Sequence, residues 1–76
     1  MATSMGSQQT GTQNDVYDLV SVLYHALEGA QTNGQYCQDA RQSGNRDLEQ
    51  FFLQCQQEDR QRADRAKQLL GRIVQG

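Results

Sequence analysis

From Val16 onward, apolar or small side chains recur at alternating spacings of four and three residues: Val16, Val20, Leu23, Leu27, Ala30, Gly34 and Cys37. That rhythm holds a narrow stripe on one face of an α-helix. Tyr17, Leu19, Tyr24, Ala26 and Ala40 widen the stripe, giving this helix more apolar surface than one partner would cover. A second series, Leu48, Phe52, Cys55, Asp59, Arg62 or Ala63, Ala66, Leu70 and Ile73, repeats the rhythm, with Phe51, Leu53 and Leu69 beside it.

Between the two series lies Gln42-Ser43-Gly44-Asn45. Glycine suits the left-handed position that closes one helix, and asparagine directly after it can cap the next. Asn14 and Asp15 supply a comparable start for the first helix, and Asp47 and Glu49 place negative charge in the first turns of the second. The expectation is an all-α antiparallel hairpin over residues 14–76, with helices at about 15–43 and 46–74. Some 28 residues at 1.5 Å each make the second helix roughly 42 Å long, matched to the first. Residues 1–13 carry no charge and no aromatic side chain, and the pattern predicts a disordered tail there. Within it, Met5 to Thr10 fits the loose myristoylation pattern only if translation begins at Met5.

Gln31-Thr32-Asn33-Gly34 competes with this layout, because Asn-Gly is a strong turn signal and Gly29 lies just upstream. A turn there would produce three shorter helices. The apolar phase nevertheless runs unbroken from Ala30 through Gly34 to Cys37, which favours one continuous helix. Ala26, Ala30 and Gly34 then form a column of small residues open to close approach.

With the bend centred at Gly44 and Asn45, residues whose numbers total about 89 lie at one level of the hairpin. Phe52 comes level with Cys37 and within a turn of Gly34, so its ring is expected in the space beside that glycine. Cys37 and Cys55 fall about three residues out of register across helices packed roughly 8–10 Å apart, so free buried thiols are expected rather than a bridge. Asp59, at a seam position, is level with Ala30, and Arg62 is next to the level of Glu28. A register-fixing ion-pair cluster of Glu28, Glu58, Asp59 and Arg62 follows, since unpaired carboxylates are costly to bury. The competing reading is a carboxylate metal site at Glu28, Glu58 and Asp59 with His25 as nitrogen ligand. Tyr17, Tyr24 and Tyr36 are expected to pack as partly buried aromatics.

Composition limits the remaining classes. Seventy-six residues hold one domain with a thin core, which oligomerisation commonly supplements. A net charge of -2 argues against a nucleic-acid binder. Residues 14–43 carry four acidic and one basic side chain, and residues 45–76 five acidic and six basic, so the two halves differ as -3 and +1. Arg60, Arg62, Arg65, Lys67 and Arg72 therefore read as a solvated helix end that faces the acidic start of the first helix. The 14 glutamines fall mostly between apolar positions and read as exposed helix face. Two cysteines, no signal-like segment and no long apolar run point to a soluble cytoplasmic protein that does not enter membranes.

Tyr17-Asp18-Leu19-Val20-Ser21-Val22-Leu23-Tyr24-His25-Ala26-Leu27-Glu28-Gly29-Ala30, with Leu48-Glu49-Gln50-Phe51-Phe52 and Glu58-Asp59-Arg60-Gln61-Arg62-Ala63, resembles short bacterial ferritin-like helical-hairpin proteins. The resemblance spans most of residues 17–70 and implies half of a four-helix bundle, completed by pairing two hairpins. Such proteins use a Glu on one helix and Glu-x-x-His on the next for di-iron. Glu28 matches the first ligand and Glu58 opens the second motif, but Gln61 stands where His is required. No catalytic motif and no cofactor motif is complete. The expected function is a non-enzymatic structural or interaction protein acting as a homodimeric bundle, or as a hairpin bound to another helical protein. The alternative is a ferritin-like metal-binding or redox protein with a degenerate carboxylate site.

Overall fold

A computed structural model describes residues 14–75. The expected disordered tail and the Met5 pattern lie outside the described residues. Two helices, α1 (Asn14–Gln42) and α2 (Arg46–Gln75), of 29 and 30 residues, pack along each other as an antiparallel hairpin. None of the described helices is long and apolar enough to cross a membrane.

The bend is short: Ser43, Gly44 and Asn45 alone connect the two helices. Gly44 has φ 75°, a left-handed conformation that side-chain-bearing residues rarely adopt. Its N–H donates to Arg41 O and the Asn45 N–H donates to Ala40 O at 2.9 Å, the pair of bonds that closes a Schellman motif. Asn45 then caps α2, its side-chain oxygen accepting from the Leu48 N–H at 3.1 Å. One residue thus ends the first helix and begins the second, and the Ser43 hydroxyl satisfies Ala40 O as well. Beside the bend, Arg41 Nε and Glu49 Oε2 form an ion pair at 2.7 Å. The hydrogen bond and the charge of Glu49 raise the Arg41 guanidinium above its ordinary value.

α1 runs through Asn33-Gly34 without a break, as the unbroken phase requires. The level rule also holds: Tyr36 meets Phe52, Gly29 meets Asp59, Gly34 meets Gln56 and Arg41 meets Glu49, all pairs whose numbers total within about three of 89.

The phase of the stripe differs from the expected one. On α1 the side turned to α2 carries Val16, Leu19, Leu23, Ala26, Ala30, Asn33, Cys37 and Ala40, all buried or half-buried, whereas Val20 and Leu27 are exposed. On α2 it carries Glu49, Phe52, Gln56, Asp59, Ala63, Ala66 and Leu70, whereas Leu48 and Ile73 are exposed. The physical reason is size. Ala26, Ala30, Ala40, Ala63 and Ala66 are buried, Ala63 at 1% exposure, and small side chains let two backbones approach closely while large ones would hold them apart. No side chain larger than cysteine is fully buried among the described residues.

Candidate functional site

The middle of the seam is polar. Level with each other lie Ala30 and Asp59, and beside them Asn33 and Gln56. The bonds cross diagonally: Asn33 Nδ2 donates to Asp59 Oδ2 at 2.9 Å, and Gln56 Nε2 donates to Ala30 O at 2.9 Å. Asn33 Nδ2 also donates to Gly29 O, one turn back on its own helix. Arg62 completes the layer from the edge, donating to Asp59 Oδ1 at 2.7 Å. Both oxygens of a half-buried carboxylate are thereby matched, as burial of charge demands.

Two glycines make room for this layer. A Cβ on Gly29 would stand 2.6 Å from Asp59 Oδ2, and one on Gly34 would stand 2.6 Å from Gln56 Nε2. The space beside Gly34 is therefore filled by the Gln56 amide, and the expected placement of Phe52 there is corrected. Phe52 instead packs in a tilted pair against Tyr36 at 5.4 Å between ring centroids, and Phe51 packs in the same way against Phe52 at 5.7 Å. An amide both fills the gap and donates a second hydrogen bond to the Ala30 carbonyl, which a phenyl ring cannot do.

The expected cluster of Glu28, Glu58, Asp59 and Arg62 forms only in its last two members. Glu58 is exposed and accepts from Gln54 Nε2 at 3.2 Å on its own helix. Glu28 is exposed and makes no ion pair among the described residues. Helix geometry explains both: Glu28 lies two residues from the buried Ala26 and Ala30, about 200° around the helix, and Glu58 lies about 100° from Asp59. His25 is exposed as well, bonded to Ser21 Oγ at 3.4 Å and edge-on to Tyr24. The four metal candidates Glu28, Glu58, Asp59 and His25 thus do not converge, and the described residues contain no cluster of three or more His, Cys, Asp or Glu able to hold a metal ion. Cys37 and Cys55 are free thiols, as expected, but only Cys37 is buried.

Large apolar side chains face outward on both sides of the hairpin. On one side Tyr36, Phe51 and Leu48 are exposed around the half-buried Phe52 and Cys55. Helical repeats extend this aromatic face along the hairpin to Val22 on α1 and Leu69 on α2. On the other side an open groove is lined by Gln31, Gly34, Gln38 and Arg41 of α1 and by Glu49, Leu53 and Gln56 of α2. The same row of α1 continues toward the N-terminus as Tyr17, Val20, Tyr24 and Leu27, and Tyr17 and Tyr24 are 67% and 61% exposed. Those two tyrosines were expected to be partly buried, and within one hairpin they are not.

The acidic start of α1 and the basic end of α2 do not pair within the chain. The ion pairs among the described residues are Arg41 with Glu49 and Arg62 with Asp59. Set against protein-family models, characterised proteins and solved structures, the chain matches none.

Proposed function

We propose that the chain is a non-enzymatic cytoplasmic helical pairing module, whose working form is a homodimer of hairpins completing a ferritin-like four-helix bundle. One observation carries this reading. The side chains fully buried in the seam are five alanines and Cys37, while eleven large apolar side chains among the described residues remain exposed. Contiguous apolar surface of that kind on a small domain marks an interaction site, and a thin core calls for a partner. The ferritin-like likeness read from the sequence agrees with two hairpins per bundle. A hairpin bound to another helical protein is the same surface with a different occupant.

The metal-binding alternative draws no support from the dispersed positions of Glu28, Glu58 and His25 around Asp59. Sedimentation equilibrium of the full chain across a hundredfold concentration range tests the proposal. A mass of two chains at the upper end is expected, and a folded monomer throughout would overturn it.

A further inference from the structure

We propose that Asn33-Gly34 is a latent deamidation site that the folded hairpin holds shut: the asparagine is converted when the seam opens, and the product then keeps the seam from closing. This goes beyond the pairing reading, because it concerns the hairpin alone and stands with or without a partner.

The chemistry is intrinsic to the dipeptide. The Gly34 backbone nitrogen gives up its proton to solvent and attacks Asn33 Cγ, the Cγ–Nδ2 bond breaks, ammonia leaves and a cyclic imide closes. Water then opens either carbonyl of the imide, leaving aspartate or isoaspartate, so that asparagine and water become aspartate and ammonia. Glycine hinders the attack least of all following residues, because it lacks a Cβ and its backbone turns freely. The chain holds three asparagines, Asn14, Asn33 and Asn45, and Asn33 alone precedes a glycine.

In the fold both reacting groups are held. Residues 33 and 34 lie inside α1, where the helical pattern directs the Gly34 N–H to the Ala30 carbonyl. That carbonyl is fixed in turn by Gln56 Nε2 at 2.9 Å. The leaving amide is tied at Nδ2 to Gly29 O at 3.0 Å and to Asp59 Oδ2 at 2.9 Å. Ring closure needs the Asn33 side chain to swing off Asp59 and a turn of α1 to come apart, which local opening of the seam supplies. The same contacts explain why so labile a pair stands here. Asn33 donates to Asp59, and a Cβ at position 34 would stand 2.6 Å from Gln56 Nε2.

The layer then rejects the product. Aspartate at position 33 sets an acceptor oxygen where Nδ2 had donated, against both Asp59 Oδ2 and Gly29 O. Two carboxylates at that spacing oppose each other, with Arg62 as the cation that offsets them. Isoaspartate adds a methylene to the main chain and breaks the helical repeat in the middle of α1.

Ageing the full chain tests this. One sample is kept in mildly alkaline buffer and another in the same buffer with urea, circular dichroism checking that the first is helical and the second is not. Peptide mass spectrometry follows the replacement of amide by acid at each asparagine. In urea Asn33 is expected to convert ahead of Asn14 and Asn45, and in the folded chain at least about tenfold more slowly than in urea, a factor that a modest cost of opening supplies. After the urea is removed, unconverted chains are expected to regain helix, and converted ones, separated by ion exchange, to unfold at lower urea concentration. Asn33→Asp is expected to fall below Asn33→Ala in the same titration, since both lose the bond and only the first adds charge.

Equal rates in buffer and urea, or no preference for Asn33 in urea, would overturn the latent site. Converted chains that refold with the stability of the wild type would overturn the block on closing.

Discussion

Gly29 and Gly71 are both helical glycines, yet their surroundings give alanine opposite consequences. An alanine in a helix interior is ordinarily better than glycine by about 0.5–1 kcal/mol, because glycine loses more backbone freedom on folding. Nothing lies within 4 Å of a Cβ placed on Gly71, so Gly71→Ala is expected to stabilise by about that amount. At Gly29 the same Cβ lands 2.6 Å from Asp59 Oδ2 and 3.1 Å from its Cγ. The carboxylate must withdraw, and with it go the bond from Asn33 and the fixed geometry of the Arg62 pair. Losing a half-buried bond of this kind costs about 1–3 kcal/mol, which exceeds the gain in helix propensity. Gly29→Ala is therefore expected to destabilise by about 1 kcal/mol, and Gly34→Ala to fall between the two, since only the far end of Gln56 must move. Urea denaturation of the three variants at one protein concentration checks the order, and a more stable Gly29→Ala would show that the Asp59 layer contributes little.

At the scale of elements, the bend is where local chemistry and global fold agree most closely. Gly44 occupies a left-handed conformation and Asn45 serves two helices, so both were legible from the order Ser-Gly-Asn alone. Gly44→Ala is expected to cost about 1–2 kcal/mol through its positive φ, and Asn45→Ala about 1 kcal/mol through the lost cap to Leu48. Thermal melts of the two variants check this, and equal stability of both with the wild type would mean that interhelix contacts alone set the bend.

The helix phase was less legible, for a reason specific to these residues. Val20 and Leu27 keep as good a four-and-three rhythm as Leu19, Ala26 and Asn33, and counting apolar positions favours the larger side chains. The helices instead turn Ala26, Ala30, Cys37 and Ala40 fully inward, because close approach of backbones rewards small side chains at the points of contact. Asn33-Gly34 misleads in the same way: taken as a dipeptide it signals a turn, yet in the fold Asn33 reaches Asp59 and Gly34 admits Gln56. The level rule did contain this layer, since 33 and 56 total 89, but an asparagine and a glutamine at seam positions carry no apolar signal to draw notice. The four proposed metal candidates failed for the converse reason. Their residue types suggested a site, and only the helical angle showed Glu28 turned away from Asp59.

For the whole molecule, the balance of buried and exposed side chains decides how folding and association are coupled. Fully burying one leucine-sized side chain contributes about 1.5–3 kcal/mol, and the hairpin buries none of that size completely. Ordering 62 residues against such a seam leaves little margin, so the exposed row of Val22, Tyr36, Leu48 and Phe51 would enter the folding energetics if, as proposed, a second copy covered it. If the native state is a dimer and the unfolded state a monomer, mass action adds RT ln 10, about 1.4 kcal/mol per dimer, for each tenfold rise in concentration. The entropy of unfolding is about 2.1 cal/mol/K per residue near 60 °C, or about 260 cal/mol/K for the helical parts of two chains. The ratio predicts a rise in melting temperature of about 5 °C per tenfold increase in protein concentration. Scanning calorimetry of the wild-type chain from micromolar to millimolar measures it directly. A melting temperature independent of concentration would mean that the alanine seam with its Asn33, Gln56 and Asp59 layer is sufficient by itself, and that the large apolar side chains outside it play no part in folding.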